Sequence, residues 1–332
     1  MMHTTSDIPT ARLRTWLTPR SLWRRPFVRN AMVVIGGTAT AQAITVVFSP
    51  VITRLYSPDA FGALGVFTSV ISILTPIAAL CYPHAIVLPP EDEDGLRLTR
   101  LSVLIAVSMT VLMAAIIIPF RSWLASLFGL ESVTSYLWLV PIIVLLAAVS
   151  QAYDQWLIRK KLFRVSSGIA IAQALAVNGG KIALGLLAPS AAGLIGVSSV
   201  GHGMHAALSA LGSRATRRKA AATIMGGLAD RRTMAVAREY RDFALYRTPQ
   251  VVLNSISQNL PVVILASLFG PSVAGLYALG YRVLKLPGSI ISQAVGKVFL
   301  QRIAEAAHRG QDMQRLIIRA TLGLAVAGCF PF

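Results

Sequence analysis

The segment YLWLVPIIVLLAAVSQAYDQWLIRKKLFR, residues 136–164, shows the pattern on which the fold of this 332-residue chain depends. Its apolar run, residues 136–157, is followed by a connection that carries Arg159, Lys160, Lys161 and Arg164. About 20 predominantly apolar residues are enough to cross a bilayer as a helix. The segment therefore predicts a transmembrane helix whose last residues lie on a positively charged side of the membrane.

The same pattern recurs along the whole chain and predicts an all-α integral membrane protein with about nine transmembrane helices. The apolar runs are residues 31–53, 61–88, 99–120, 136–157, 165–187, 191–211, 249–269, 274–300 and 316 to the end. Most of the 31 Lys and Arg residues lie in the N-terminal arm and the even-numbered connections, whereas the odd ones hold only Arg54 and Arg121. By the positive-inside rule, the N-terminus is cytoplasmic and the odd connections face outward.

The composition agrees with a membrane protein, with 55% hydrophobic and 13% charged residues. A soluble domain carries about twice that charged fraction. The net charge of +18 suggests nucleic-acid binding at first sight, but it is concentrated on one predicted side of the membrane, so we expect no nucleic-acid partner. The basic amphipathic segment 229–246 is instead expected to lie on anionic phospholipids of the inner leaflet. Cys81 and Cys329 lie within apolar runs and predict neither a disulfide nor a metal site.

Two short segments indicate an internal repeat. SPDAFGALG at residues 57–65 and GPSVAGLYA at residues 270–278 share Pro and Gly at an offset of 213 residues. Six predicted spans separate them, so both copies enter the membrane in the same direction, as in parallel transporter repeats. We predict a basic arm (1–30), a six-helix N-lobe (31–211), a basic linker with an amphipathic helix (212–248) and a partial C-lobe (249–332). A complete second copy would extend beyond residue 332, so we expect a fragment lacking about three spans; the alternative is a natural chain with an odd number of spans.

Basic residues deep in the spans suggest a binding cavity. Lys181, Arg282 and Lys285 lie far from the predicted span ends, and Asp154 is the single acid within a span. An unpaired cation at membrane depth is costly and usually faces a cavity. We therefore predict a hydrated vestibule that holds an anionic ligand; the alternatives are acidic partners in further spans or neutral lysines. Lys297 and Arg319 are expected to snorkel to the interface.

Amides share helix faces with other polar residues, which extends the predicted substrate-binding set. Gln42 lies on one stripe with Thr38 and Thr45, Asn178 shares a face with Lys181, and Asn254 shares one with Gln258. Stripes of small and hydroxyl residues are equally typical of helix packing. We expect packed or interfacial roles for the histidines within the spans and no metal site. The acidic cluster at residues 91–94 is interpreted as a solvated turn in preference to part of a gate.

Several sequence blocks resemble a known family. They are SPVITRLYSP and FG within residues 49–62, LP and EDED within 88–94, QWLIRKKLFR at 155–164, YRVLKLP at 281–287 and VFLQR at 298–302. In order and spacing the chain resembles bacterial polysaccharide biosynthesis proteins, the Wzx-type flippases of the multidrug/oligosaccharidyl-lipid/polysaccharide exporter superfamily.

The resemblance implies a pseudo-two-fold 6+6 exporter fold around a central cavity. It implies transport, without catalysis or a cofactor, of undecaprenyl-diphosphate-linked oligosaccharide repeat units of O-antigen or exopolysaccharide across the bacterial inner membrane. A coupling ion, H⁺ or Na⁺, and polysaccharide assembly proteins as partners also follow from it. It adds Arg54 to the predicted contacts of the lipid-linked oligosaccharide and supports Arg282. The alternatives are a lipid II or other superfamily exporter and, with less support, a membrane-embedded polymerase or ligase.

Overall fold

The computed structural model describes residues 26–128, 131–222, 231–281, 284 and 318. A 3₁₀ segment, Glu131–Leu139, precedes the sixth helix, and a π-helical turn, Phe243–Arg247, precedes the tenth. The helices are α1 (Pro26–Leu55), α2 (Pro58–Ala79), α3 (Tyr82–Ala85), α4 (Asp92–Ile117), α5 (Arg121–Phe128), α6 (Val140–Arg159), α7 (Phe163–Leu187), α8 (Ala191–Ala222), α9 (Arg231–Glu239) and α10 (Thr248–Phe269). Helix α11 begins at residue 271 and is described to residue 281.

The prediction of an all-α membrane protein is confirmed. The described residues contain no strand, and seven of their helical segments are long and apolar enough to cross a membrane. The chain is a multi-pass membrane protein. The count of nine spans, the two lobes and the domain boundaries stay predictions, because most of the eighth and ninth predicted spans lie outside the described residues.

Helix α2 lies at the centre of the described bundle and packs against α4, α6, α8 and α10. Its start is well defined: Ser57 caps the first turn by accepting a hydrogen bond from the Ala60 N–H at 3.3 Å, and Pro58 occupies the first helical position. Val66 and Phe67 on this helix are fully buried. In a bilayer such packing is stabilised mainly by close van der Waals contact, because lipid is as apolar as the helix surface.

The prediction of a second span over residues 61–88 is wrong at its C-terminal end. Helix α2 stops at Ala79, and Leu80 and Cys81 adopt left-handed backbone conformations with φ of 45° and 51°. The short helix α3 then begins, with Pro83 in its first turn. Two successive left-handed residues break the helix, and Pro83 has no N–H to continue the ladder. His84 therefore lies between spans and not inside one.

The acidic cluster, residues 91–94, is exposed to solvent at Glu91 and Asp92, and it also ties α4 to other parts of the bundle. Arg159 at the end of α6 donates from Nε to Asp92 at 3.1 Å and from Nη1 to the carbonyls of Ile86 and Pro89 at 3.0 and 2.8 Å. Lys160 also pairs with Asp92. These contacts join the start of α4 to the end of α6, and we call this end of the bundle the basic side.

The predicted amphipathic segment forms α9 and docks on the protein. Val236 and Thr233 are buried, the Tyr82 hydroxyl donates to the Ala237 carbonyl at 3.1 Å, and Arg232 pairs with Glu91 and Asp94. Its apolar face thus packs on the bundle, and the predicted contact of segment 229–246 with anionic phospholipids stays a prediction.

The two repeat segments contact each other reciprocally at the end of the bundle opposite the basic side. A Cβ atom added at Gly62 would lie 1.8 Å from the Pro271 carbonyl oxygen, and one added at Gly275 would lie 2.2 Å from that of Pro58. Pro58 and Pro271 differ by 213 positions, as do Gly62 and Gly275. A contact in which each copy uses the same residues is what a two-fold axis between the copies requires. We call it the glycine–proline seam.

We expect Gly62→Ala and Gly275→Ala each to destabilise the protein by about 1–3 kcal/mol, because the added methyl group overlaps a backbone carbonyl that cannot rotate away. Thermal unfolding of the purified protein in detergent measures the effect. Gly179→Ala and Gly280→Ala are matched controls, since an added Cβ there meets nothing within 4 Å. Equal melting temperatures for all four variants would contradict a tight seam.

Candidate functional site

A chamber of about 290 Å³ lies where α2, α3, α6, α8 and α10 meet. Its walls combine apolar surface with neutral polar side chains. The lining residues are Ile71, Ser72, Thr75, Pro76, Cys81, His84, Ala147, Gln151, His202 and Val251. We call it the central chamber. Small-molecule sites typically have this character, with a few polar groups placed among apolar ones.

His84 is held between two glutamines of α6. Gln151 Nε2 lies 3.4 Å from His84 Nε2, and Gln155 Nε2 lies 3.5 Å from His84 Nδ1. A neutral imidazole offers one N–H and one lone pair, so it can accept from one amide only, and the other amide must turn its oxygen toward the ring. The oxygens of both glutamines are buried and accept no hydrogen bond from the described residues. The glutamine whose N–H donates to the ring therefore keeps a buried oxygen that can accept a hydrogen bond from a ligand.

His84 is neutral at neutral pH. Burial is the main cause that holds the pKa of its imidazole below the usual value, and the nearby Arg247 guanidinium lowers it further. A neutral ring next to amides and hydroxyls makes this part of the chamber a hydrogen-bonding surface without net charge.

A second polar network joins α6, α7 and α8. Gln173 Nε2 donates to the Gly201 carbonyl at 3.2 Å, which turns Gln173 Oε1 toward His205 Nδ1 at 2.7 Å. Nδ1 must therefore carry a proton. His205 Nε2 lies 2.9 Å from Asp154 Oδ2, and the Ser209 hydroxyl donates to Asp154 Oδ1 at 2.8 Å. The Nε2–Oδ2 distance is that of a hydrogen bond, which requires one proton between these two atoms.

The predicted residues of the first lobe lie on α1 and α7 and do not line the central chamber. Asn178 is buried and donates to Thr45 Oγ1 at 3.2 Å. Lys181 is also buried, at 7% exposure, and its carbonyl accepts from the Tyr56 hydroxyl at 2.7 Å. Gln42 is partly buried, and Arg54 is exposed in the last turn of α1. Asn178 and Lys181 thus belong to the packed α1–α7 interface.

The predicted amides of the seventh span lie on α10. Asn254 and Gln258 are exposed and share a helix face with Val251, which lines the central chamber. Arg282 and Lys285 lie outside the described residues, so their prediction stays untested. The structure thus places the predicted set in two groups on different helices.

Sequence reasoning missed the polar residues of α6 and their partners. Gln151 and Gln155 contact His84, whereas Asp154, which the sequence indicates only as the one acid within a span, contacts His205 and Ser209. The signal was present, since amides at positions i and i+4 of an otherwise apolar span are unusual and costly to bury. The described residues contain no cluster of His, Cys, Asp and Glu that could hold a metal ion.

Comparison with known proteins decides the family. A family model described as polysaccharide biosynthesis protein matches residues 51–331. The chain belongs to this family. A curated member of similar sequence, the succinoglycan biosynthesis transport protein ExoT of Rhizobium meliloti (strain 1021), is 23% identical over 292 residues, which cover 86% of this chain and 54% of the relative. The chain therefore spans about half the length of this relative. No solved structure matches the chain.

We expect the environment of His84 to make this polysaccharide biosynthesis protein less stable in mild acid. The unfolded imidazole takes up a proton near pH 6.5, whereas the folded one resists protonation because its pKa is lowered. The unfolded state thus binds more protons, so stability is full above about pH 6.5 and falls as pH drops below it. Unfolding of wild type and His84→Gln across pH 5–8 measures this; equal pH dependence of both proteins would contradict it.

Proposed function

We propose that this protein translocates polyprenyl-diphosphate-linked oligosaccharide repeat units across the bacterial inner membrane, from the cytoplasmic to the outer leaflet. The observation that carries the proposal is a cavity lined by neutral polar and apolar side chains where five helices meet, in a chain of the polysaccharide biosynthesis family. The name of the relative, a transport protein of succinoglycan biosynthesis, supports transport over catalysis.

The chemistry of the central chamber suits sugar hydroxyls. Each hydroxyl donates and accepts hydrogen bonds, and the chamber offers hydroxyls, an imidazole and a primary amide in the form of Ser72, Thr75, His84 and Gln151. A buried acceptor without a donor costs about 1–3 kcal/mol. The unsatisfied glutamine oxygen at His84 therefore favours a ligand that brings a donor.

The diphosphate headgroup requires cations, and the predicted ones remain Arg54, Lys181, Arg282 and Lys285. At an effective dielectric constant of about 20, a cation and an anion 4 Å apart attract by about 4 kcal/mol. Asn254 and Gln258 share a face of α10 with Val251, which lines the central chamber. We propose that they bind the sugar units of the substrate. The lipid tail stays in the bilayer, so the protein needs no binding site for it.

Alternating access is supported by the asymmetry of the described bundle. The glycine–proline seam brings α2 and α11 into close contact at the end opposite the basic side, while Cys81 and His84 place the central chamber near the basic side, at the end of α2. With the basic side in the cytoplasm, as the positive-inside rule favours, we propose that this contact blocks the transport route toward the outside. Delivery to the outer leaflet then requires the seam to open.

For the coupling ion we propose H⁺ over Na⁺. Both oxygens of Asp154 already accept hydrogen bonds, from His205 and Ser209. A sodium ion needs several free oxygen ligands, whereas a proton is already part of the His205–Asp154 contact. Loss of that proton leaves a lone pair of His205 facing a carboxylate, which loosens the link between α6, α7 and α8.

Deletion of the complete gene is expected to abolish surface polysaccharide and to leave lipid-linked repeat units in the inner leaflet. In the full-length protein, Arg282→Ala and Lys285→Ala should impair translocation without preventing membrane insertion, because they remove cations that attract the diphosphate. Lys297→Ala, near a predicted span end, is the matched control. Normal surface polysaccharide in the deletion strain would overturn the proposed function. Normal surface polysaccharide in both variants would overturn only the assignment of Arg282 and Lys285 as diphosphate contacts.

Replacing His205 with Asn is expected to uncouple translocation from the proton gradient, since the amide cannot hold the proton shared with Asp154. Translocation of a labelled lipid-linked oligosaccharide in proteoliposomes, with and without a pH gradient, measures this. Ser209→Ala is the control, because it leaves the His205–Asp154 contact intact. A gradient response that persists in His205→Asn would rule out this proton site.

A further inference from the structure

A second and larger cavity lies on the other face of α6. It is a groove of about 670 Å³ between α4 and α8, floored by Tyr153 of α6. Gln151 lines the central chamber and Tyr153 lines the groove; two positions apart on a helix, they point in nearly opposite directions. The two cavities share no described lining residue, so the groove is separate from the proposed transport route.

Four arginines surround one end of the groove: Arg100 from α4 and Arg214, Arg217 and Arg218 from α8. Arg217 is fixed, because its guanidinium donates to Ser213 Oγ at 3.0 Å and to the Ala210 carbonyl at 2.8 Å and lies 4.3 Å from the centre of the Tyr153 ring. Within the described part of the chain, the other three make no hydrogen bond or ion pair with protein groups. Four cations around one cavity repel each other unless an anion lies between them.

The other end of the groove is apolar and leads into the membrane. Val103, Leu104 and Val107 follow Arg100 on the same face of α4. Val107 lies about 10 Å deeper than Arg100, at about 1.5 Å per residue. Leu104 is 45% and Val107 is 40% exposed. A cationic end on the basic side followed by an exposed apolar wall matches a phospholipid, with its phosphate outside and its acyl chain inside.

We propose that this groove is a binding site for an anionic phospholipid with two phosphates, of the cardiolipin class, in the leaflet on the basic side. Basic pockets between transmembrane helices on the cytoplasmic side are typical sites for such headgroups. The charge decides the class, because four guanidinium groups outnumber the single charge of a monoanionic lipid. The bound lipid bridges α4 and α8 across α6 and removes the repulsion between their arginines.

The test uses the full-length protein in detergent with added cardiolipin, phosphatidylglycerol or phosphatidylcholine. Native mass spectrometry measures bound lipid, and thermal unfolding measures stabilisation. We expect wild type to retain one cardiolipin in preference to the other two lipids and to melt at a higher temperature with it. In Arg100→Gln/Arg214→Gln/Arg218→Gln, cardiolipin affinity should fall roughly a hundredfold, at about 1 kcal/mol per basic residue near a membrane surface.

The matched control is Arg164→Gln/Arg231→Gln/Arg238→Gln, which removes the same charge from exposed positions that do not line the groove. It should keep the wild-type affinity. Equal loss in both triple variants, or equal retention of all three lipids by wild type, would overturn the site. Displacement of cardiolipin by a polyprenyl diphosphate at lower concentration would instead assign the groove to the transported lipid. Lipid retention is measured without transport. Loss of the cardiolipin proposal would therefore leave the proposed function standing, and loss of the proposed function would leave the cardiolipin proposal standing.

Discussion

The constraint on which this structure depends is that a polar group inside a bilayer must find its partner within the protein. The backbone meets it by forming helices throughout the membrane-depth segments. The side chains meet it in small networks that cross helix interfaces. Asn178 with Thr45 joins α1 to α7, and His205 with Asp154 joins α8 to α6. Each network satisfies polar atoms and also fixes which helices lie next to each other.

The same constraint separates two kinds of polar cavity. In the central chamber, neutral groups face inward, and one glutamine oxygen next to His84 lacks a donor from the described residues. In the groove beyond α6, four arginines lie toward the basic side, and Arg214 and Arg218 are exposed to solvent. A neutral cavity suits hydroxyl groups, whereas the cationic one suits phosphate. Helix α6 serves both because its opposite faces carry Gln151 and Tyr153.

Both ends of the bundle are held by close contacts of different kinds. At the basic side, Arg159 binds three backbone carbonyls and Asp92, so one buried guanidinium connects the start of α4 with the end of α6. At the other end, the glycine–proline seam relies on the absence of side chains at Gly62 and Gly275. Beside this backbone contact the Ser272 hydroxyl donates a hydrogen bond to Asp59 Oδ1 at 2.5 Å, so a side-chain hydrogen bond also holds the seam. The ion cluster at the basic side is costlier to separate.

The sequence alone determined the fold class, the approximate spans and the family, because apolar length, charge position and local motifs are properties of consecutive residues. It also indicated the repeat, through the spacing of Pro58 and Gly62. Only the tertiary structure decided that these repeat segments touch, that Lys181 is buried against α1, and that His84 meets two glutamines some 70 positions away. Such contacts depend on how helices rotate and pack against each other, and a side chain's depth in the membrane does not reveal which neighbour its face will meet.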